Sequence, residues 1–192
     1  MHATRNPVME FLLTRRSRPA KTLTTPVPDR DALMALLQAA ARSPDHGKLE
    51  PWRFIVLERG ALLRLAGLVA PTGARLGKTD DEIAKARGQF EGAHLAVVVI
   101  EVQKASEKIP PIEMSYSAGA VCLALLNAAL ASGWGANWLS GWASHDRDFA
   151  QAALSLGPNE RIAGFIHIGT ETSPPPERPR PDLAAITSWI SE

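Results

Sequence analysis

Residues 95–102 read Leu-Ala-Val-Val-Val-Ile-Glu-Val, an almost unbroken apolar and β-branched run. A strand with one wet face alternates polar and apolar residues. This one does not, which is the pattern of a strand buried on both faces. A sheet containing it has to be covered from two sides, and the rest of the chain is patterned to supply that cover. Asn6-Pro7 is a good N-cap and N1 pair, and Val8, Phe11 and Leu12 then recur at helical spacing up to Arg15. Residues 16–28, broken by Pro19, Pro26 and Pro28, read as an extended loop. Asp29 opens an amphipathic helix through Leu33, Leu36, Leu37, Ala40 and Ala41, ending near Ser43-Pro44 because a residue before proline disfavours the helical region.

Further along, residues 52–57 read as a strand, 62–69 as a short helix, and Thr79 with Glu82 as a capping box opening a helix to about Phe90. Pro110-Pro111 precedes a long apolar helix over 112–132. Ala136–Leu139 reads as a short strand, Asp146–Leu154 as a helix and Ile162–Ile168 as an alternating strand. Residues 173–182 hold five prolines and read as an extended polyproline-like arm, the start of a C-terminal arm over 173–192. The order predicts one α/β (α+β) domain over residues 1–192, three-layered, with a central sheet of about four strands flanked by helices.

Composition narrows the function more than the fold. The 21 Lys and Arg nearly balance 20 Asp and Glu, so neither a nucleic-acid footprint nor an acidic tail is indicated. One cysteine, Cys122, excludes an internal disulfide and a multi-cysteine zinc site, and the five histidines lack metal-ligand spacing. No metal site, nucleic-acid partner or membrane span is expected. The apolar stretch 116–131 is shorter than a bilayer requires and reads as a buried helix. Without a charged and apolar leader the expected compartment is the cytoplasm. Gly73-Ala74-Arg75-Leu76-Gly77-Lys78-Thr79 imitates a phosphate-binding P-loop, but has three residues between its glycines where the motif needs four. It also follows a helix pattern instead of a strand. A G-x-G-x-x-G after a strand is missing too.

Three clusters could carry chemistry. Arg15-Arg16-Ser17 offers two guanidinium forks and a hydroxyl, groups suited to a phosphate, although cations also favour a helix C-terminus. The loop from Arg42 to Trp52 (Arg-Ser-Pro-Asp-His-Gly-Lys-Leu-Glu-Pro-Trp) concentrates ionisable side chains in turn chemistry unusual for a plain connector. Gly133–Trp142 holds three of the five tryptophans among glycines. It suits either a planar aromatic ligand or a core aromatic cluster. No nucleophile, base and orienter stand out as a hydrolase set.

In this order the clusters resemble the FMN-dependent nitroreductase family, in its short single-domain NAD(P)H nitroreductase branch. The resemblance runs through the Arg-Arg-Ser triplet at 15–17, Ser43-Pro44-Asp45-His46 with Glu50-Pro51-Trp52, Trp138-Leu139-Ser140-Gly141, and Gly169-Thr170 closing the last strand. It implies a homodimer with two FMN sites at the subunit interface, NADH or NADPH as hydride donor, and a small-molecule acceptor such as a nitroaromatic or quinone, used in ping-pong fashion. Arg15, Arg16 and Ser17 would hold the phosphate and ribityl end. Arg42 and His46 would reach the flavin of the other subunit, and Lys48 its pyrimidine edge. Trp138, Leu139, Ser140 and the Gly141 amide would line the ring near N5. Ala128, Ala129, Leu130, Ala131, Ser132 and Gly133 match the stretch that contacts the nicotinamide cofactor. No catalytic side chain is implied, because the chemistry sits on the flavin. Two departures bear on substrate choice and flavin potential: Leu139 stands where the family often has Arg, and Glu50 where it has Gln. Arg178 and Arg180 resemble its basic tail. Alternatives are a non-catalytic FMN-binding sensor or store, and a flavin enzyme with different acceptor chemistry.

Overall fold

The computed structural model describes residues 6–192; His2, counted among the histidines above, lies outside them. The central strand is β3 (Leu95–Val102), which pairs antiparallel with β2 (Trp52–Glu58) on one side and β5 (Glu160–Glu171) on the other. Two more strands hydrogen-bond to β5, β4 (Gly135–Leu139) and a two-residue β1 (Leu23–Thr24). The sheet therefore has five antiparallel strands instead of about four. The extra one, β1, lies within the proline-broken segment read as loop, and two residues carry no periodicity to detect. Its place is prepared by the Gly135–Gly169 pair: a Cβ at Gly135 would lie 2.5 Å from Leu23 Cδ2, and one at Gly169 2.8 Å from Thr24 O.

The β-branched run does what its composition demands. Ala96, Val98 and Ile100 face one apolar layer, built with Leu62, Leu65 and Val69 of α3 (Arg59–Arg75), Phe90 of α4 (Asp80–Glu91) and Phe149 of α7 (Arg147–Leu154). Leu95, Val97 and Val99 face the other, built with Leu33 and Leu37 of α2 (Arg30–Ala40) and Val121, Leu125 and Ala129 of α5 (Pro111–Ala131). β5, read as alternating, is instead buried on both faces over Gly164–Gly169, because it lies between strands inside the sheet.

The other helices are α1 (Pro7–Thr14), α6 (Trp142–His145) and α8 (Leu183–Ile186), the last two single turns with no sequence signal. Asn6, Asp29 and Thr79 cap their helices as their positions imply, Thr79 within a complete capping box. α3 outruns its expected end at Val69 and continues past Pro71 to Arg75. Thr72 and Gly73 beyond the proline are buried, and a Cβ at Gly73 would lie 2.4 Å from Ile83 Cγ1 on α4. The glycine that imitates a P-loop is thus a close-approach residue between two helices, and packing outweighs the one backbone hydrogen bond that proline removes.

Among the described residues α5 is the one helix long and apolar enough to cross a membrane, at 21 residues. Its sheet-facing side, from Ala118 through Leu125 and Ala129, is fully buried, as in a core helix. Between β5 and the turn of α8 (Leu183–Ile186) the proline-rich arm forms no helix or strand.

Candidate functional site: an arginine cluster and a strained histidine loop

The segment after α1 docks beside β4. Arg18 N donates to Ala136 O at 2.8 Å, and Asn137 Nδ2 donates to Arg18 O at 2.7 Å. This places Arg15–Arg18 against the strand that carries Trp138. Arg15 Nη2 donates to Ser17 Oγ at 3.2 Å, so the two are brought together as the triplet suggested. The arm closes over them. Glu177 pairs with Arg16 at 3.2 Å and with Arg180 at 2.9 Å, and Arg18 pairs with Glu171 at 2.7 Å. Burial, and then the charges of Arg180, Arg16 and Arg18, pull Arg15 below the usual arginine range. Four guanidinium groups thus face two carboxylates. Two buried donors, Arg15 Nε and Arg16 Nη1, have no hydrogen-bond acceptor; the Glu177 contact with Arg16 is an ion pair without hydrogen-bond alignment. Buried unsatisfied donors in a cationic cluster are a ready anion site.

The Arg42–Trp52 loop packs elsewhere, against the start of α5. Arg42 ends the α2 turn, exposed, with its amide on Ala39 O. His46 Nδ1 lies 2.7 Å from Glu113 Oε2. Gly47, Lys48 and Glu50 all have positive φ (73°, 55° and 46°), two of them without glycine's freedom. Lys48 and Glu50 are exposed. Among the described residues no hydrogen bond or ion pair joins this loop to the arginine cluster.

Trp138 lies against Gly164, where a Cβ would come within 2.1 Å of the indole Nε1. The glycine is what lets the ring approach the sheet. Leu139 is half-buried and Ser140 exposed. The Gly141 amide donates to Ser144 Oγ at 3.2 Å, so the donor that the resemblance aims at a flavin N5 already has a partner. Ser140 and Gly141 also line a cavity of about 270 Å³ with Lys85, Gln89, Phe90 and Trp142. Ala128–Gly133 closes α5 into β4. Ala129 is fully buried, its carbonyl accepts from Trp134 N at 3.0 Å, and Gly133 takes φ +84° to make the turn; Ala131, Ser132 and Gly133 are exposed.

Sequence reasoning missed Arg18, Glu171 and Glu177. Their signal was weak: a third arginine just after the triplet, one acidic residue at the end of the last strand and one in the proline-rich tail. Of the other candidates, Cys122 is fully buried, which pushes its thiol up to about 12 and leaves it inert. His167 is also buried, with both ring nitrogens unpartnered, and desolvation pushes it down to about 4. Among the described residues no group of three His, Cys, Asp or Glu could hold a metal.

The fold is thus α+β, an antiparallel sheet covered on both faces with an arginine cluster beside β4. The model of the nitroreductase family matches residues 12–170, and the chain belongs to that family of oxidoreductases. The Escherichia coli (strain K12) protein named "Putative NAD(P)H nitroreductase YdjA" is 33% identical over 180 residues, covering 94% of this chain and 91% of the relative. Two solved structures share the fold. A nitroreductase-like protein from Bacillus cereus aligns with TM-score 0.79 at 23% identity, over 99% of both chains. A Desulfovibrio desulfuricans structure, titled as a putative nitroreductase in complex with FMN, aligns with TM-score 0.77 at 22% identity, over 98% of this chain and 99% of that one.

Proposed function

We propose that the chain is an FMN-dependent oxidoreductase that takes hydride from NADH or NADPH and passes it to a nitroaromatic, quinone or related acceptor in alternating half-reactions. The observation that carries this reading is the pair of buried, acceptor-less donors Arg15 Nε and Arg16 Nη1 inside the arginine cluster. Four guanidinium groups against two carboxylates leave the cluster an excess of two positive charges, which matches a phosphate monoester at about −1.5 to −2 at neutral pH. A dinucleotide-binding glycine fingerprint is lacking, which favours a mononucleotide. Bound FMN would supply the hydride and electron chemistry. The chain's own residues bind and orient it: Arg15, Arg16, Ser17 and the arm's Arg180 at the phosphate, Trp138, Leu139 and Ser140 along the ring. Ala128–Gly133, at the exposed end of α5, would meet the nicotinamide cofactor. Leu139 removes a cation from the ring's surroundings and Glu50 adds an anion, while Lys48 offers a positive charge that steadies a reduced flavin.

Arg42, His46 and Lys48 belong in this reading to the flavin of a partner subunit. Their loop is pinned to α5 while the arginine cluster is pinned to β4. α5 leaves Ile112, Tyr116 and Leu123 exposed on its outer side, and α1 buries no residue while exposing Val8, Met9, Leu12 and Leu13. Apolar surface of this extent, on α1 and on the part of α5 beside the histidine loop, supports a homodimer with a shared site.

The test is direct. Purified protein should release FMN on denaturation. Its flavin band should bleach with NADH or NADPH and return on adding a quinone. A colourless protein that takes up no FMN would remove the cofactor reading; bound flavin that neither nucleotide bleaches would leave a binding protein instead of a reductase.

A further inference from the structure

The proposed reaction leaves Glu113 without a task, yet it makes the most direct contact with the histidine of the loop. Its Oε2 lies 2.7 Å from His46 Nδ1, at the first turn of α5. The backbone on either side of His46 is held with equal care. Ser117, one turn along α5, donates to Pro44 O at 2.9 Å and accepts from Trp52 Nε1 at 3.2 Å. Asp45 Oδ2 accepts the Glu50 amide at 2.5 Å. A Cβ at Gly47, whose φ is +73°, would lie 2.6 Å from Ile109 Cδ1 and displace the end of that side chain. Left-handed backbone at Lys48 and Glu50 costs of order 1–3 kcal/mol each, and such strain persists where its surroundings over-determine it, typically at functional sites.

A carboxylate only accepts, so the Nδ1 facing it must carry a hydrogen. In a neutral ring that leaves Nε2 as a lone pair, and in a doubly protonated ring it makes Nε2 a donor. A free histidine side chain prefers the opposite tautomer, with hydrogen on Nε2. We infer that Glu113 is the positioning residue of His46: by holding Nδ1–H it fixes tautomer and ring plane, and presents Nε2 to the polar edge of the partner's flavin. Orientation of a working imidazole by a carboxylate on its other nitrogen is a general device. The groove around the pair, about 370 Å³, is also lined, among the described residues, by Asp45 and Tyr116, and Asp45 is committed to the Glu50 amide. The inference rests on the reading of His46 as a flavin contact.

Nitrogen-15 NMR of the imidazoles of the full-length protein reads the tautomer without any flavin, and five histidines are few enough to assign with a His46→Asn variant. His46 should be in the Nδ1–H form in the wild type and in Glu113→Gln, whose amide oxygen still accepts, and should revert to Nε2–H in Glu113→Ala. FMN affinity should fall about three- to tenfold in Glu113→Ala, the net worth of one hydrogen bond, and in the Glu113→Ala/His46→Ala double variant by no more than in His46→Ala. An Nε2–H wild type overturns the proposal. So does a tautomer change in Glu113→Ala that leaves FMN affinity untouched while His46→Ala lowers it. Failure of the wild type to bind FMN would instead overturn the cofactor reading and Nε2's target with it, and the tautomer measurement tells that failure from a failure of the lock.

Discussion

Arg15 is charged, partly buried and short of one acceptor, a combination that costs stability unless a ligand completes it. Replacing it with Ala should weaken FMN binding by about 2–3 kcal/mol, the worth of hydrogen bonds to charged groups, and barely affect riboflavin, which lacks the phosphate. Paired titrations of the two flavins measure the difference. His167 makes the opposite kind of statement. It has no partner on either nitrogen, so the fold keeps it neutral, with its pKa pushed down to about 4 by burial against an ordinary value of 6.5. Above pH 6.5 neither state charges it, and nothing is lost. As pH falls from 6.5 toward 4 the unfolded chain binds the proton and the folded one does not, so this group should reduce stability by about 3 kcal/mol between pH 7 and pH 4. Urea unfolding at the two pH values should show that loss in the wild type and a correspondingly smaller one in His167→Leu.

At the scale of elements, α5 is apolar almost all round, and the single chain covers only one side of it. Leu123, exposed on the outer side, should tolerate a charge in the isolated subunit but not in an interface. Leu123→Lys is expected to convert a species of about twice the chain mass into a monomer in sedimentation, with an unchanged far-ultraviolet spectrum; a wild type already at 20.7 kDa would reject the interface. The same scale shows what local pattern could convey. The capping box at Thr79, the helix of Asp29 and the buried run of β3 were all legible, because each depends on residues adjacent in the chain. β1 and the continuation of α3 past Pro71 were not. A two-residue strand exists only because β5 offers it a ladder, and the end of α3 survives proline only because α4 packs against it.

For the molecule as a whole, the shared site has a consequence that no single chain shows. Arg15 and His46 sit on separate elements with no hydrogen bond or ion pair between them, one beside β4 and the other in the loop held against α5. If each serves a different subunit's flavin, a mixed dimer of Arg15→Ala and His46→Ala chains gathers both lesions in one site and leaves the other intact. Co-expressing the two chains should therefore restore NAD(P)H oxidation, up to the share of intact sites, provided each variant alone dimerises and is nearly inactive. Absence of rescue would mean that both residues attend the same flavin.

The sequence by itself determined that a sheet buried on both faces lies between helices, since an eight-residue β-branched run admits little else, and that cationic and aromatic clusters stand at three points along the chain. It also carried the family, because motifs in register survive substitution between them. Tertiary structure alone decided which clusters meet. Arg15–Arg18 reaches β4 through one backbone hydrogen bond that any residue could make and one from the Asn137 side chain, and the arm's Glu177 and Arg180 arrive from more than 150 positions away. Glu113 meets His46 across 67 positions on the first turn of a helix whose pattern reports only its apolar side. Such contacts are set by how layers stack and where loops close, and neither periodicity nor spacing along the chain encodes that distance.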